Sequence, residues 1–342
     1  MHLVSVQPDD DVRIRAAAAL LETARRADDP DAIEVRPKEI RNDLRYGFDL
    51  NPPQLFALER PAHPDGPVGL LRVDVPKHDN RHVVYAEITV HPQARRQGHG
   101  SRLMAALVDL AGRLGRSTLW IGTAQDAPAG NAFLAAHGFT PASTDARRHQ
   151  VLADVTWSEI ERLESGAAGR AADYALERLQ LPHDDDLLQA LVEVTAAIND
   201  APMGTLEHEE EVFDLQRLRD AQTSWLLRGV RLYRVVARHR ASGELAGHSY
   251  LVVDPEQDEF GYQADTTVAR PHRGHQLGLA LKIEMMRWLA EAEPQIRLVE
   301  TWNNADNAFM IRVNEALGYR LSRTFTLYQR VLGRDVARAD AG

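Results

Sequence analysis

The chain has 342 residues, enough for two domains at about 150 residues each, and no apolar run approaches the roughly 18 residues of a membrane span. Cysteine is absent, which excludes disulfides, thiolate catalysis and zinc–thiolate centres and fits a cytoplasmic protein. A net charge of −10 argues against general nucleic-acid binding, which draws on clustered Lys and Arg, and leaves room for a cationic substrate such as an amine.

The N-terminus, M-H-L-V-S-V-Q, has no basic stretch before an apolar one, so no secretory leader is expected. Residues 1–7 read as a strand. Pro8 and the run Asp9-Asp10-Asp11 then start a helix, with acid placed where the helix dipole favours it. A second helix covers 37–45. Extended pieces follow at 54–60, 68–75 and 82–90, separated by turns at 61–67 and 76–81. Leu103, Leu107, Leu110 and Leu114 make one apolar helix face. A short strand is expected at 117–123, then a helix ending at Gly138-Phe139, where Gly suits a C-terminal cap, then a strand at 147–155.

Residues 157–172, a polar helical pattern running into G-A-A-G-R-A-A, are the expected linker. The same order then begins again. A strand at 174–181 precedes Pro182 and a second triple-Asp helix start at Asp184. Helices to Ile198 and over 207–222 follow, the latter opening on Glu207-His208-Glu209-Glu210-Glu211 as a solvated first turn. Strands are expected at 230–239, 244–253 and 259–268. A helix faces inward through Leu277, Leu281, Met285 and Trp288. A strand at 297–301, a helix over 304–317 and a strand at 322–331 close the second half. Residues 334–342 read as a tail.

Within this duplication one stretch repeats most closely. Glu87–Gly100 reads E-I-T-V-H-P-Q-A-R-R-Q-G-H-G, and Asp265–Gly278 reads D-T-T-V-A-R-P-H-R-G-H-Q-L-G. Laid together without a gap, Glu87 meets Asp265, Val90 meets Val268 and Arg95 meets Arg273. A strand that feeds a basic loop and then a helix start offers unpaired N–H groups and a positive dipole end to phosphate. Neither loop carries the Gly-Lys-Ser/Thr of a nucleotide P-loop, and neither has the third Gly of a dinucleotide fingerprint.

Both halves resemble GNAT-superfamily N-acetyltransferases. That family's acetyl-CoA motif is Arg/Gln-x-x-Gly-x-Gly/Ala after a strand ending in Val or a similar residue. Arg95-x-x-Gly98-x-Gly100 matches it in full, and Arg273-x-x-Gln276-x-Gly278 matches with Gln276 in the place of the middle Gly. The family's later motif, Asn-x-x-Ala-x-x-Leu-Tyr-x-x-x-Gly-Phe, is followed by Asn307 through Gly318-Tyr319, with Asn314 in the Tyr place. In the first half only its end is kept, with Leu134 in the Tyr place.

The resemblance implies an α/β fold of α+β type. It predicts two tandem GNAT-like domains, 1–156 and 173–333, each a mixed, mostly antiparallel sheet flanked by helices. It implies acetyl-CoA as co-substrate and no metal. The coenzyme contacts expected in the first half are Val90, Arg95, Arg96, Gln97, Gly98, His99, Gly100 and Ser101. Those in the second are Val268, Arg273, Gly274, His275, Gln276, Leu277, Gly278 and Leu279. Asn307 is read either as a coenzyme contact or as a helix cap. His99 and His275 are read as phosphate-side residues, and Tyr319 and Trp302 as packing residues.

Acetyl transfer to an amine needs a neutral amine, a polarised carbonyl and a stabilised thiolate. Glu87 and Asp265, three residues before the Val, are candidate bases beside their reading as solvated strand residues, and Glu300 is a third. The Tyr that the family uses to protonate the thiolate is missing in both halves, since Leu134 cannot donate and Asn314 is no acid. The expected activity is N-acetylation of a small-molecule amine in the second half, by direct attack in a ternary complex, by a monomer or homodimer. A protein or peptide N-acetyltransferase and a non-catalytic acyl-CoA-binding module are the alternatives.

Overall fold

Alternation and helical spacing in the first half become β1 (His2–Ser5), α1 (Asp11–Asp28), α2 (Pro37–Tyr46), β2 (Gln54–Glu59), β3 (Gly69–Asp74), β4 (Val83–Val90), α3 (His99–Arg113), β5 (Thr118–Ala124), α4 (Pro128–Ala136) and β6 (Thr140–Val151). After α5 (Trp157–Ala168) the series repeats. It runs through β7 (Tyr174–Gln180), α6 (Asp185–Ala196), α7 (Leu215–Arg228), β8 (Arg231–His239), β9 (Leu245–Val253), β10 (Phe260–Val268), α8 (Leu277–Ala292), β11 (Leu298–Asn304), α9 (Ala308–Ala316) and β12 (Arg320–Val331). The structure is a computed structural model that describes residues 1–29, 31–60 and 66–333. Residues 61–65 of the turn expected at 61–67, and the tail at 334–342, lie outside the described residues.

The triple-Asp starts work as the sequence suggests. The Asp10 side chain accepts from the Arg13 N–H, and Asp184 accepts from the Leu187 N–H at 2.8 Å, each filling one orphan donor of a helix start. The expected helix over 207–222 begins later, at Leu215, capped by Asp214. Asn199 explains the shift. Its side-chain amide donates to the Glu211 carbonyl at 2.9 Å and accepts from the Glu211 N–H at 2.8 Å. That holds the acidic run outside the helix, where its like charges do not stack on one turn.

The chain forms two compact units, Met1–Ala142 with the stretch from Thr326, and Ser143–Phe325. Most of β6 therefore belongs to the second unit, and β12 ends in the first. Residues 157–172, expected as a linker, carry α5, whose buried Ile160 and Ala167 belong to the second unit. In the first unit β1 to β4 pair antiparallel in sequence order and β4 pairs parallel with β5. In the second, β7 to β10 pair antiparallel in the same way, β10 pairs parallel with β11, and β11 pairs antiparallel with β6.

Each sheet buries one face under the helix that follows the basic loop. In the first unit Leu103, Met104 and Leu107 of α3 pack with Leu71, Val73 and Val84. In the second, Leu277, Leu281 and Met285 of α8 pack with Tyr233, Val235 and Leu251. The opposite face of the second sheet carries α6, through Leu188, Leu191 and Val194 against Val236, Leu245 and Ala269. Strand alternation therefore sends odd-numbered β8 residues to α8 and even-numbered ones to the α6 side.

Candidate functional site

In both units the parallel pair opens. β4 and β5 are in register from Val83↔Thr118 to Ala86↔Ile121, and β10 and β11 from Phe260↔Leu298 to Gln263↔Thr301. Beyond those points β4 and β10 run on for several residues without a parallel partner in the register. The His91 N–H donates to the Val68 carbonyl, and the Ala269 N–H to the Ala246 carbonyl. Ladder alternation then turns the N–H of Val90 and of Val268 the other way, into the gap. Gly69 and Gly247 face these strand ends because nothing larger fits. A Cβ at Gly247 would stand 2.5 Å from the Thr267 carbonyl oxygen.

The loops that follow share a backbone. Arg96 (φ 62°) and Gly98 (φ 83°) are left-handed in the first, Gly274 (φ 87°) and Gln276 (φ 58°) in the second. Alternating handedness curls successive N–H groups towards one point, an anion cradle. The first bonds of the two helices run from the Arg102 N–H to the Gly98 carbonyl and from the Ala280 N–H to the Gln276 carbonyl. The N–H groups of residues 99–101 and 277–279 thus have no helical acceptor. Gly100 and Gly278 keep the next turn low. A Cβ at Gly100 would meet the Phe133 ring at 3.1 Å, and one at Gly278 would meet Phe309 at 3.8 Å. The Gln276 Oε1 is buried without a protein partner. This is a fit for a pyrophosphate-bearing coenzyme at both loops.

Several side chains expected at the coenzyme are committed elsewhere. Arg95 donates from Nε to the Val90 carbonyl (3.3 Å) and binds Asp28 through both terminal nitrogens, at 2.7 and 2.6 Å. Arg273 repeats this, donating to the Val268 carbonyl at 3.1 Å and pairing with Asp200, which also holds Arg270. The motif arginines therefore brace the strand end against the close of α1 and the turn after α6. His99 points inward. It is buried with its Nε2 unpartnered, and burial, with the charges of Arg60 and Arg102, lowers its pKa. His275 lies 3.1 Å through Nδ1 from the Arg170 carbonyl and stacks near Tyr174. Gln97 donates to the Gln93 carbonyl, and the Ser101 hydroxyl lies 3.2 Å from His137 Nε2. Leu277 is buried in the core and Leu279 packs against it. Asn307 caps α9, its Oδ1 accepting from the Met310 N–H at 3.1 Å. Asn314 is fully buried. Its amide donates to Asn303 Oδ1 at 2.6 Å, and its own Oδ1 has no partner among the described residues.

The three candidate carboxylates sit in different surroundings. Glu87 is exposed on β4, 4.0 Å from Arg72. Glu300 on β11 is buried and engaged on both oxygens. It accepts from Trp302 Nε1 at 2.9 Å, lies 2.9 Å from His149 Nε2 and has Arg147 at 3.9 Å. The Trp302 ring also packs on Phe325, so its role is packing and support of Glu300. Asp265 lies in the bulge of β10, between Gln263 and Thr266. Burial pushes its carboxyl above the usual range, against the pull of Arg234 and a 3.4 Å hydrogen bond from the Tyr250 hydroxyl.

Residues outside the motifs complete the picture. On the second unit's α6 side, Arg234, Tyr250 and Asp265 stand in a row across β8, β9 and β10. Burial draws Arg234 down to about 10, and holds the Tyr250 hydroxyl well above its ordinary value. Tyr262 is 40% exposed as a residue, and local desolvation of its hydroxyl with the charges of Asp265 and Glu300 raises it to about 12. In the first unit Asp74 is pushed up to about 6 by burial, with Asp43 and Glu87 adding to it and Arg72 opposing. Lys282 is buried on α8 over the Tyr319 ring (4.7 Å) and falls to about 7 by burial alone. The sequence signal for Arg234 was its place inside an otherwise apolar strand, L-Y-R-V-V-A. The row as a whole has none, because its members are spread over three strands.

Among the described residues no group of three or more His, Cys, Asp or Glu could hold a metal ion, and no helix is long and apolar enough to cross a membrane. Residues 20–139 match the acetyltransferase (GNAT) family. No curated protein matches the chain. Among solved structures, a tandem GNAT protein from the clavulanic acid biosynthesis pathway aligns over 97% of this chain and 98% of its own, at 25% identity and a TM-score of 0.78. A GCN5-related N-acetyltransferase from Sphaerobacter thermophilus aligns over 96% and 95% at 16% identity and a TM-score of 0.67. A fungal multi-domain protein with a GCN5-related glucosamine N-acetyltransferase region aligns over 96% of this chain and 38% of its own, at 13% identity and a TM-score of 0.67. The last two speak to fold alone. With two copies of one loop, gap and helix in a single chain, the protein is built like a tandem GNAT protein, and it carries a GNAT acetyltransferase domain at residues 20–139.

Proposed function

We propose that the protein transfers the acetyl group of acetyl-CoA to the primary amine of a small molecule, by direct attack, in the second unit. The observation that carries this reading is Asp265, a carboxylate in a strand bulge at the edge of the gap, with its proton affinity raised by burial. A base works best when its pKa approaches the working pH. Asp265 has moved that way, whereas Glu87 stands exposed and Glu300 is bound on both oxygens.

Acetyl-CoA, when bound, supplies the thioester. The chain's own parts do the rest. The N–H groups at 277–279 and the left-handed pair Gly274 and Gln276 hold the pyrophosphate. The Val268 N–H, turned into the gap, polarises the carbonyl. Asp265 takes a proton from the substrate ammonium and so frees the neutral amine that attacks, and Tyr250 orients Asp265. With Asn314 in the Tyr place, the sulfur leaves as a thiolate beside a neutral amide that donates no proton. The first unit has an equally formed cradle and is proposed to bind acetyl-CoA as well.

A second reading puts the chemistry in the first unit. Asp74, at about 6, supports it, as does the family match to residues 20–139. Thiol release from acetyl-CoA, measured over a panel of amines, separates the two. Asp265→Asn is expected to lower kcat roughly 100-fold or more, with acetyl-CoA binding retained by calorimetry. A loss with Asp74→Asn and none with Asp265→Asn would move the reaction to the first unit. Release with no amine in the panel would sink the proposal.

A further inference from the structure

The proposed reaction leaves one buried cluster of the second unit unused. Arg234, in the middle of β8, is 5% exposed, and no carboxylate within the described residues forms an ion pair with it. Its one side-chain hydrogen bond among them runs from Nη1 to His248 Nδ1 at 2.5 Å. Its Nε is buried with no partner. Because His248 Nδ1 accepts, the ring proton sits on Nε2, and that N–H is also buried and unpartnered. A guanidinium taken out of water with its counter-charge, Asp265, not paired to it is costly, and so is each orphaned donor.

Two rings that touch each other, at 5.6 Å between centroids, flank Arg234 on one side. Its guanidinium lies 4.9 Å from the Tyr250 ring centroid and 5.9 Å from that of Trp225 on α7. The in-plane Nε edge of the fork has no partner, and that edge has the geometry that takes a carboxylate side-on. One strand away, Tyr250 donates to Asp265, so this edge and the proposed base lie along one row on one face of the sheet.

Resting on the reaction proposed above, we infer that the acceptor in the second unit is an amine that also carries a carboxylate, held by the Nε edge of Arg234 while its amine faces Asp265. The cluster is all donors and the row is charged oppositely at its two ends, which suits an amino-acid-like molecule. Burial keeps His248 neutral, and it keeps His183, the other buried imidazole in the field of Arg234, neutral with a pKa near 4, so Arg234 is the cation of the cluster.

Two measurements on the full chain test this. The first is thiol release with amines paired by the presence of a carboxylate: L-phenylalanine with 2-phenylethylamine, L-lysine with cadaverine, β-alanine with ethylamine. The wild type is expected to prefer the carboxylated members by roughly 10- to 100-fold in kcat/KM. Arg234→Gln should bring that ratio near one, and Arg234→Lys, which keeps the charge and loses the fork, should leave it in between. No preference in the wild type, or a ratio untouched by Arg234→Gln, overturns the inference. The second is calorimetry with 3-phenylpropionate and butyrate, which carry no amine. Binding that Arg234→Gln abolishes supports the anion site even if no amine is acetylated, in which case only the proposed reaction falls. Acetylation of both members of each pair at equal rates keeps the reaction and removes the anion site.

Discussion

Gly98 and Gln276 hold the same left-handed backbone at the same point of the two loops, φ 83° and ψ 0° against φ 58° and ψ 22°. The first loop places its other left-handed residue at Arg96, the second at Gly274. Each loop thus contains one glycine and one residue with a side chain at its two left-handed positions, in opposite order. A Cβ at Gly98 would meet no atom within 4 Å, so the side chain of Gln276 is a matter of backbone strain and not of crowding.

That relationship predicts the effect of Gln276→Gly. A left-handed non-Gly residue costs about 1–2 kcal/mol, and glycine returns part of this through the entropy of the unfolded chain. The variant is expected to be as stable as the wild type or more so, by up to about 1 kcal/mol, in urea unfolding. Acetyl-CoA binding by calorimetry should persist. Clear destabilisation would show that the Gln276 side chain makes a contact that holds the loop.

The pH profile reports on Asp265. A base must be deprotonated to act, so the rate rises with pH through its pKa. Burial places the acidic limb of kcat/KM above the usual carboxylate range near pH 4. The Tyr250 hydroxyl lowers that pKa, so Tyr250→Phe should move the limb to higher pH. A limb that shifts downward, or not at all, would separate Tyr250 from the base.

Lys282 makes stability depend on pH in the alkaline range. Its folded pKa, about 7, lies below the unfolded value near 10.4. The neutral form is preferred in the fold, so its favourable contribution is complete above the unfolded value and is lost as pH falls through 7. Unfolding free energy should drop between pH 10 and 7 and level off below. Lys282→Met is expected to flatten that slope. An unchanged slope would place the pH dependence on another group.

Asp200 acts at the opposite end. Arg270 and Arg273 hold its carboxyl down to about 2. Its contribution is present above the unfolded value near 4 and lost as pH falls through 2. Asp200→Asn should therefore lower stability at pH 7 and change little at pH 2, read as Tm across that range. The loss at neutral pH is expected to be modest, because Arg270 and Arg273 are exposed and water screens such pairs.

The repeated strand, loop and helix was legible because it rests on short-range rules. Alternation gave the strands, helical spacing gave α3 and α8, and the triple-Asp starts are capped as their composition implies. Helix ends that depend on one distant contact were not legible. α7 begins at Leu215 because Asn199, twelve residues before Glu211, holds that segment extended. Asn307 was open between two roles until its Oδ1 was found on the Met310 N–H.

By itself the sequence determined that the chain is a duplication and that each copy carries a strand, a basic loop and a helix start in the same register. Such features are written in neighbouring residues, whose spacing fixes backbone geometry. The tertiary structure decided what the side chains of each loop do. It turned His99 inward and gave Arg95 and Arg273 to Asp28 and Asp200. It also brought Arg234, Tyr250 and Asp265 onto one face from three strands. No local pattern encodes that row, because strand pairing joins residues far apart in the chain, and burial, which sets their charges, exists only once the sheet is covered.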